Sequence, residues 1–225
     1  MHTDYTQPTN LSEAKQQQQT LRERVTTTPY DGDLRYVGGI DVGYNKQLGM
    51  AQASLVVMDW EELEVVSEYT ARLPVDFPYV SGYLSFREIP AVLAVLKQCN
   101  PLPDLLMLDG QGVAHPRRLG IASHLGVLLD MPTIGVAKSR LCGHYPKLND
   151  DKGAKVKLTE GDELLGYVLR SRANVNPLFI SPGHKVGFEQ AVGLVEYCLT
   201  KYRLPEPTRL ADKLSKWSCA PAAVA

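Results

Sequence analysis

The stretch LPDLLMLDGQGVAHPRRLGIASHLGVLLDMPTIGV (Leu102–Val136) decides the fold, because it reads as strand, helix, strand. LPDLLMLDG carries a short apolar run too uniform for a half-solvated strand, so it predicts a strand buried on both faces, and PTIGV predicts another. Between them, HPRRLGIASHLGVLLD predicts a helix opened by Pro116, since proline suits the first helical turn.

Working outward toward the N-terminus, RYVGGIDVGY (Arg35–Tyr44), AQASLVVMD and LEVVSEYTARL predict three strands with short connections, hence antiparallel hairpins. SFREIPAVLAVLKQ spaces Ile89, Val92, Leu93 and Leu96 as a helix, with Pro90 restricting it to the first turn. Toward the C-terminus, ELLGYVLRS and PLFISPG predict strands, VGFEQAVGLVEYCLTKY an amphipathic helix, and LADKLSKW a last short one. The order β-β-β-α-β-α-β, then more strand and helix, predicts an α/β protein with a mixed sheet covered by helices on both faces, the order of a ribonuclease H-like fold. Ahead of it, Asn10-Leu-Ser-Glu13 forms a capping box for a polar, glutamine-rich helix with few apolar anchors. The expected organisation is an N-terminal helix and linker (1–34), one domain (35–217) and a short tail (218–225).

Composition narrows the function. The 225 residues are 44% hydrophobic and 22% charged, enough for one compact core, and the net charge of −1 requires any nucleic-acid contact to come from a local basic face. Cys99, Cys142, Cys198 and Cys219 lack zinc spacing or a dense disulfide pattern and read as reduced thiols. The start MHTDYTQPTN lacks the features of a secretory signal, and the apolar run Leu119–Ala137 is broken by His124, Asp130 and Pro132. A soluble, cytoplasmic protein is expected.

Two acids stand where solvated acids do not belong. Asp41 interrupts the apolar first strand, and Asp109 ends the run LLML before a Gly-Gln-Gly turn. A carboxylate there must be paired, hydrogen-bonded or metal-bound, because a lone buried charge costs several kcal/mol. Asp41 as a salt-bridged core acid and Asp109 as a turn or cap acid remain open alternatives. With Glu88, near the start of the central helix, they form an oxygen-rich set of the kind Mg²⁺ takes, able to activate water against a phosphodiester.

From Asp109 to Lys147 the acids are Asp109 and Asp130, against Arg117, Arg118, Lys138, Arg140 and Lys147, with three histidines. Arg117 and Arg118 in a first helical turn oppose the helix dipole unless a phosphate or acid is near, or they are simply solvated. Gly110 and Gly112 around Gln111 allow close ligand approach or make a tight turn. His115 caps the helix or touches a phosphate; Lys138 is a surface lysine or a cation beside a reacting phosphate.

GGIDVGY, PYVSGYLSFREIPA, the segment from Leu106 to Gly143, NPLFISPGH and YRLPEPTRLAD together closely resemble the endonuclease V family, covering about residues 38 to 212. The resemblance implies a ribonuclease H-like, Mg²⁺-dependent nuclease, with Mn²⁺ as a substitute. It implies cleavage of deoxyinosine-containing DNA at the second phosphodiester 3′ to the lesion, leaving 3′-hydroxyl and 5′-phosphate ends. Animal relatives prefer inosine in RNA, so inosine-containing RNA is a further expected partner; the chain is expected to act as a monomer, away from membranes. Asp41 and Asp109 fall on metal-binding aspartates, Glu88 on the catalytic glutamate and metal set, and Asp212 on a position acidic in many members but not all. Lys138 and His115 fall near the scissile phosphate.

Pro78-Tyr79 falls on a wedge in which the tyrosine enters the duplex at the lesion. Gly82, Arg87, Gly110, Gln111, Gly112, Arg117 and Leu141 are the further expected DNA contacts, with Gly110 to Gly112 in the base pocket. Ser81 departs from a common proline and Gly43 from another small residue. A sugar-kinase-like phosphotransferase, suggested by GGIDVG, would need a duplicated domain and an adenosine motif. A noncatalytic binding module would not keep Asp41, Glu88 and Asp109 together.

Overall fold

The computed structural model describes residues 5–217, and Cys219 and the tail after Trp217 lie outside them. Helix α1 (Leu11–Arg22) precedes the hairpin strands β1 (Tyr36–Asn45), β2 (Met50–Asp59) and β3 (Val65–Pro74). Then come α2 (Ser85–Leu96), β4 (Leu105–Leu108), α3 (Ile121–Leu129) and β5 (Thr133–Ala137). The chain continues through β6 (Lys155–Glu160), β7 (Glu163–Leu169), β8 (Leu178–His184), α4 (Phe188–Tyr197) and α5 (Glu206–Ser215). The eight strands form one sheet in the order β3-β2-β1-β4-β5-β8-β7-β6, with β1, β4 and β5 parallel and the other pairs antiparallel.

The apolar run of β4 divides between two cores. Leu105 and Met107 face one side with Val37, Ile134, Val136 and the α4 residues Val192 and Val195. Leu106 and Leu108 face the other with Ile40, Leu55, the α2 residues Ile89 and Val92, and Leu125 of α3. This two-sided burial is why these strands lack polar alternation. Helix α5 lies directly on β1, where a Cβ at Gly39 would stand 2.0 Å from the Pro207 carbonyl oxygen.

Three local expectations are corrected. Pro90 is not confined to the first turn but is the sixth residue of α2. It leaves the Phe86 carbonyl without its helical donor, and Gln7 Nε2 supplies one at 3.1 Å. Helix α3 does not open at Pro116: it begins at Ile121 after Gly120. Arg118 takes a left-handed φ of 56° in the preceding loop and pairs with Glu160 and Glu163, so it opposes no helix dipole. Strand β6 has only Leu158 buried and lies at the sheet edge, which is why its polar sequence carried no strand signal.

Candidate active site

The parallel register builds the site. Ile40 pairs with Leu108 in neighbouring β1 and β4, so the next residues, Asp41 inside β1 and Asp109 just past the carboxyl end of β4, stand side by side where β4 leaves the sheet. Lys138 follows β5, the next parallel strand, at the same end. Ligand sites of open α/β sheets form at such strand ends. Helix α5, seated against Gly39, brings Asp212 to the same place. Carboxylate oxygens of Asp41, Asp109 and Asp212 lie within 4.8 Å of one another.

Lys138 Nζ is ion-paired to both Asp109 and Asp212, and Ser215 Oγ donates to Asp41 Oδ2. Burial and the neighbouring Asp41 push the Asp109 carboxyl up to about 7, against the pull of Lys138. The Asp212 carboxyl is held below its ordinary range: burial would raise it, but hydrogen bonds from Lys138 and Lys216 prevail. Burial disfavours the charged Lys138 amine, yet Asp109 and Asp212 more than offset this and raise it. Asp41 is therefore not a salt-bridged core acid, and Asp109 is not a cap of α3.

Glu88 stands apart from that oxygen cluster. It is buried in the first turn of α2, and its Oε1 accepts from the Tyr44 hydroxyl at 3.1 Å. Burial pushes it up to about 8; the Tyr44 bond works against that, while the charges of Asp41 and Asp109 add to it. The structure thus places Asp212, rather than Glu88, with Asp41 and Asp109.

Beside the carboxylates opens a cavity of about 310 Å³ lined by Tyr79, Gly82, Asp109, Gly110, Gln111, His115, Lys138 and Leu141, among others. Tyr79 is 78% exposed at its rim, and Leu141 is also exposed. Gln111 Nε2 donates to the Ser139 carbonyl at 2.9 Å, whereas its buried Oε1 has no partner among the described residues. Gly112 does not line the cavity; its N–H is tied to Ser181 Oγ behind it.

Arg87 lies between the rings of Tyr44 and Tyr79, 5.2 and 5.8 Å from their centroids, and donates to the Phe77 carbonyl beside Pro78. Arg117 is spent internally: it bonds the Gly82 carbonyl and Gln18 and stacks on Tyr83. His115 has both ring nitrogens engaged, with Gly82 O and the Arg117 N–H. Burial, then the nearby Arg117 charge, lowers it to about 4, so the ring is neutral; α3 begins only at Ile121, so His115 caps no helix. Ser215 and Gln18 were not singled out from sequence. Their only signals are spacings, Ser215 three residues beyond Asp212 and Gln18 four beyond the buried Ala14.

Comparison with known proteins identifies the family. The endonuclease V family profile matches residues 19–213. An endonuclease V of Rippkaea orientalis is 49% identical over 208 residues, covering 92% of this chain and 91% of that one. The crystal structure of endonuclease V from Streptomyces avermitilis superposes with a TM-score of 0.87 at 43% identity, covering 93% of this chain and 92% of that one. A Ciona intestinalis endonuclease V, in complex with a 24mer DNA containing an inosine followed by a ribo-adenosine, gives 0.79 at 35% identity, covering 91% and 95%. With a family profile that matches most of its length and a relative 49% identical over nearly the whole of both sequences, the chain belongs to the endonuclease V family.

Proposed function

We propose that this protein is a DNA repair nuclease that recognises deoxyinosine and hydrolyses the second phosphodiester on its 3′ side, leaving a 3′-hydroxyl and a 5′-phosphate. The observation that carries the reading is the convergence of Asp41, Asp109 and Asp212 beside a cavity with an exposed tyrosine at its rim. Three hard carboxylate oxygens from rigid elements suit Mg²⁺, with Mn²⁺ as a substitute. Bound there, the ion would supply Lewis acidity and a more acidic water for in-line attack.

The chain's own residues divide the remaining work. Tyr79, with Pro78 before it, enters the duplex as a wedge: extruding a base costs a few kcal/mol, and an aromatic stack returns about 1–3 kcal/mol. The cavity receives the extruded hypoxanthine between Gly110, Gln111 and Leu141, and the unpartnered Gln111 Oε1 accepts from the N1–H that adenine lacks. Lys138 stands where a phosphate beside Asp109 would meet its amine. Glu88, neutral at pH 7 in the metal-free state, lies close enough to feel Asp41 and Asp109 and holds a proton near the reacting centre. Arg87 and His115 position the wedge loop. The protein acts as a monomer in the cytoplasm through one nuclease domain spanning residues 35–217. Among the described residues no helix is long and apolar enough to cross a membrane.

The test is an end-labelled duplex with one deoxyinosine, incubated with and without Mg²⁺, beside an RNA carrying one inosine. Nicking that needs Mg²⁺ and is lost in Asp109→Ala is expected; cutting indifferent to either would refute the mechanism. A faster cut of the RNA would make RNA the substrate.

A further inference from the structure

Gln18 sits on α1, outside the sheet, yet it is 0% exposed. Its Nε2 donates to the Gly82 carbonyl at 2.9 Å, and its Oε1 accepts from Arg117 Nε. These two bonds fix the amide's orientation, because reversal would set donor against donor and acceptor against acceptor. The same Gly82 oxygen also receives Arg117 Nη2 and, at 3.0 Å, His115 Nε2. His115 is the Nε2–H tautomer, since its Nδ1 accepts the Arg117 backbone N–H at 3.1 Å.

Three side chains therefore converge on one backbone oxygen that has two lone pairs. That oxygen belongs to a turn, Val80 to Tyr83, closed by the Tyr83 N–H to the Val80 carbonyl at 3.0 Å. Gly82, with φ of 79°, takes its third position in type II fashion. Tyr79 immediately precedes the turn. Ser81 occupies the second position, where a proline would have stiffened the backbone covalently.

We infer that Gln18 is a positioning residue for duplex opening, bracing the Gly82 carbonyl from α1 so that Tyr79 stays rigid when pressed against stacked bases. The inference rests on the wedge reading proposed above. Gln18 takes no part in bond breaking, so its loss tells only where strands must be separated. A deoxyinosine in a single strand needs no such separation.

The experiment measures kcat/KM on duplex and on single-stranded deoxyinosine substrates for wild type, Gln18→Leu, Gln18→Glu and the exposed control Gln16→Ala. Gln18→Leu should lose about 5- to 10-fold on the duplex, the scale of one or two hydrogen bonds, and less than about twofold on the single strand. Gln18→Glu keeps the acceptor for Arg117 and loses the donor to Gly82, so it should show the same bias and serves if the leucine variant does not fold. In the absence of metal, a 2-aminopurine beside the lesion should brighten less with either Gln18 variant than with Gln16→Ala. Equal loss on both substrates, no loss on the duplex, or unchanged brightening overturns the brace. Should wild type cut neither strand, the functional reading falls while the fluorescence still decides the brace.

Discussion

Glu88→Gln replaces the ionisable carboxyl of Glu88 with a neutral amide while keeping its shape and an acceptor for the Tyr44 hydroxyl. Burial, opposed by that hydroxyl and reinforced by Asp41 and Asp109, moves the carboxyl from its ordinary 4.5 to about 8. Between those values the unfolded chain has released the proton and the folded protein has kept it. The folded state then binds more protons, so its stability falls as pH rises through this window and levels off above it. Linkage gives a cost of roughly 4 kcal/mol at pH 8, of which about 1 kcal/mol is already present at pH 5. The substitution should therefore stabilise the metal-free protein by roughly 3 kcal/mol more at pH 8 than at pH 5. For a chain of this size that is about 6–12 °C in melting temperature.

The assay is urea or thermal unfolding of both proteins with a chelator present, at the two pH values. The difference between variant and wild type at pH 8, minus the same difference at pH 5, cancels titrations common to both. A result near zero would mean that Glu88 is already ionised in the metal-free site and that its burial carries no charge penalty. The same variant should lose Mg²⁺-dependent nicking, so stability and activity move in opposite directions, as expected where a fold holds an unfavourable group for use.

Three further outcomes follow from the geometry. Tyr79→Ala should cut discrimination between inosine and normal duplex by about tenfold, the scale of one aromatic stack, with Mg²⁺ affinity by calorimetry unchanged; equal discrimination would remove the wedge. Lys138→Met should bind Mg²⁺ several-fold more tightly, about fivefold after allowance for solvent screening of the partly exposed amine, because no ammonium competes for Asp109 and Asp212, while turnover falls. Gly39→Ala drives a Cβ into the Pro207 carbonyl and should cost about 1–3 kcal/mol by denaturation. It should also weaken Mg²⁺ binding, since α5 carries Asp212; unaltered stability would mean that α5 can shift freely.

How much was legible in the sequence depended on how each residue is buried. β4 and β5 were plain because burial on both faces demands apolar residues throughout, and Asp41 and Asp109 stood out against that background. β6 was invisible because an edge strand buries one side chain and leaves lysines exposed. The start of α3 was misplaced because Pro116 has the right residue type for a helix start, whereas the chain spends four more residues in a loop that aims Arg117 and His115 at Gly82. Asp212 joined the carboxylates through tertiary packing at Gly39, which no local pattern encodes. Gln18 was hidden by composition: within QQQQ, one buried amide looks like its solvated neighbours.

In the proposed mechanism, the wedge and the catalytic carboxyl are one mechanical piece. The loop that carries Tyr79 runs without a break into α2, and Glu88 lies in that helix's first turn. Force on the ring is therefore delivered to the backbone that positions Glu88, and the helix start is pinned on several sides. Ser85 Oγ meets His124 Nδ1 at 3.0 Å on α3, Gln7 holds the Phe86 carbonyl that Pro90 leaves free, and Arg87 grips the Phe77 carbonyl at the loop's other end. A proline inside α2 would ordinarily weaken the helix by about 3 kcal/mol. Here it frees an acceptor for the N-terminal segment, so residues ahead of the sheet help keep Glu88 still while Tyr79 works. The sheet and α5, with their three aspartates, suffice for the proposed cation site; holding that site in register with an opened duplex would require the N-terminal segment as well.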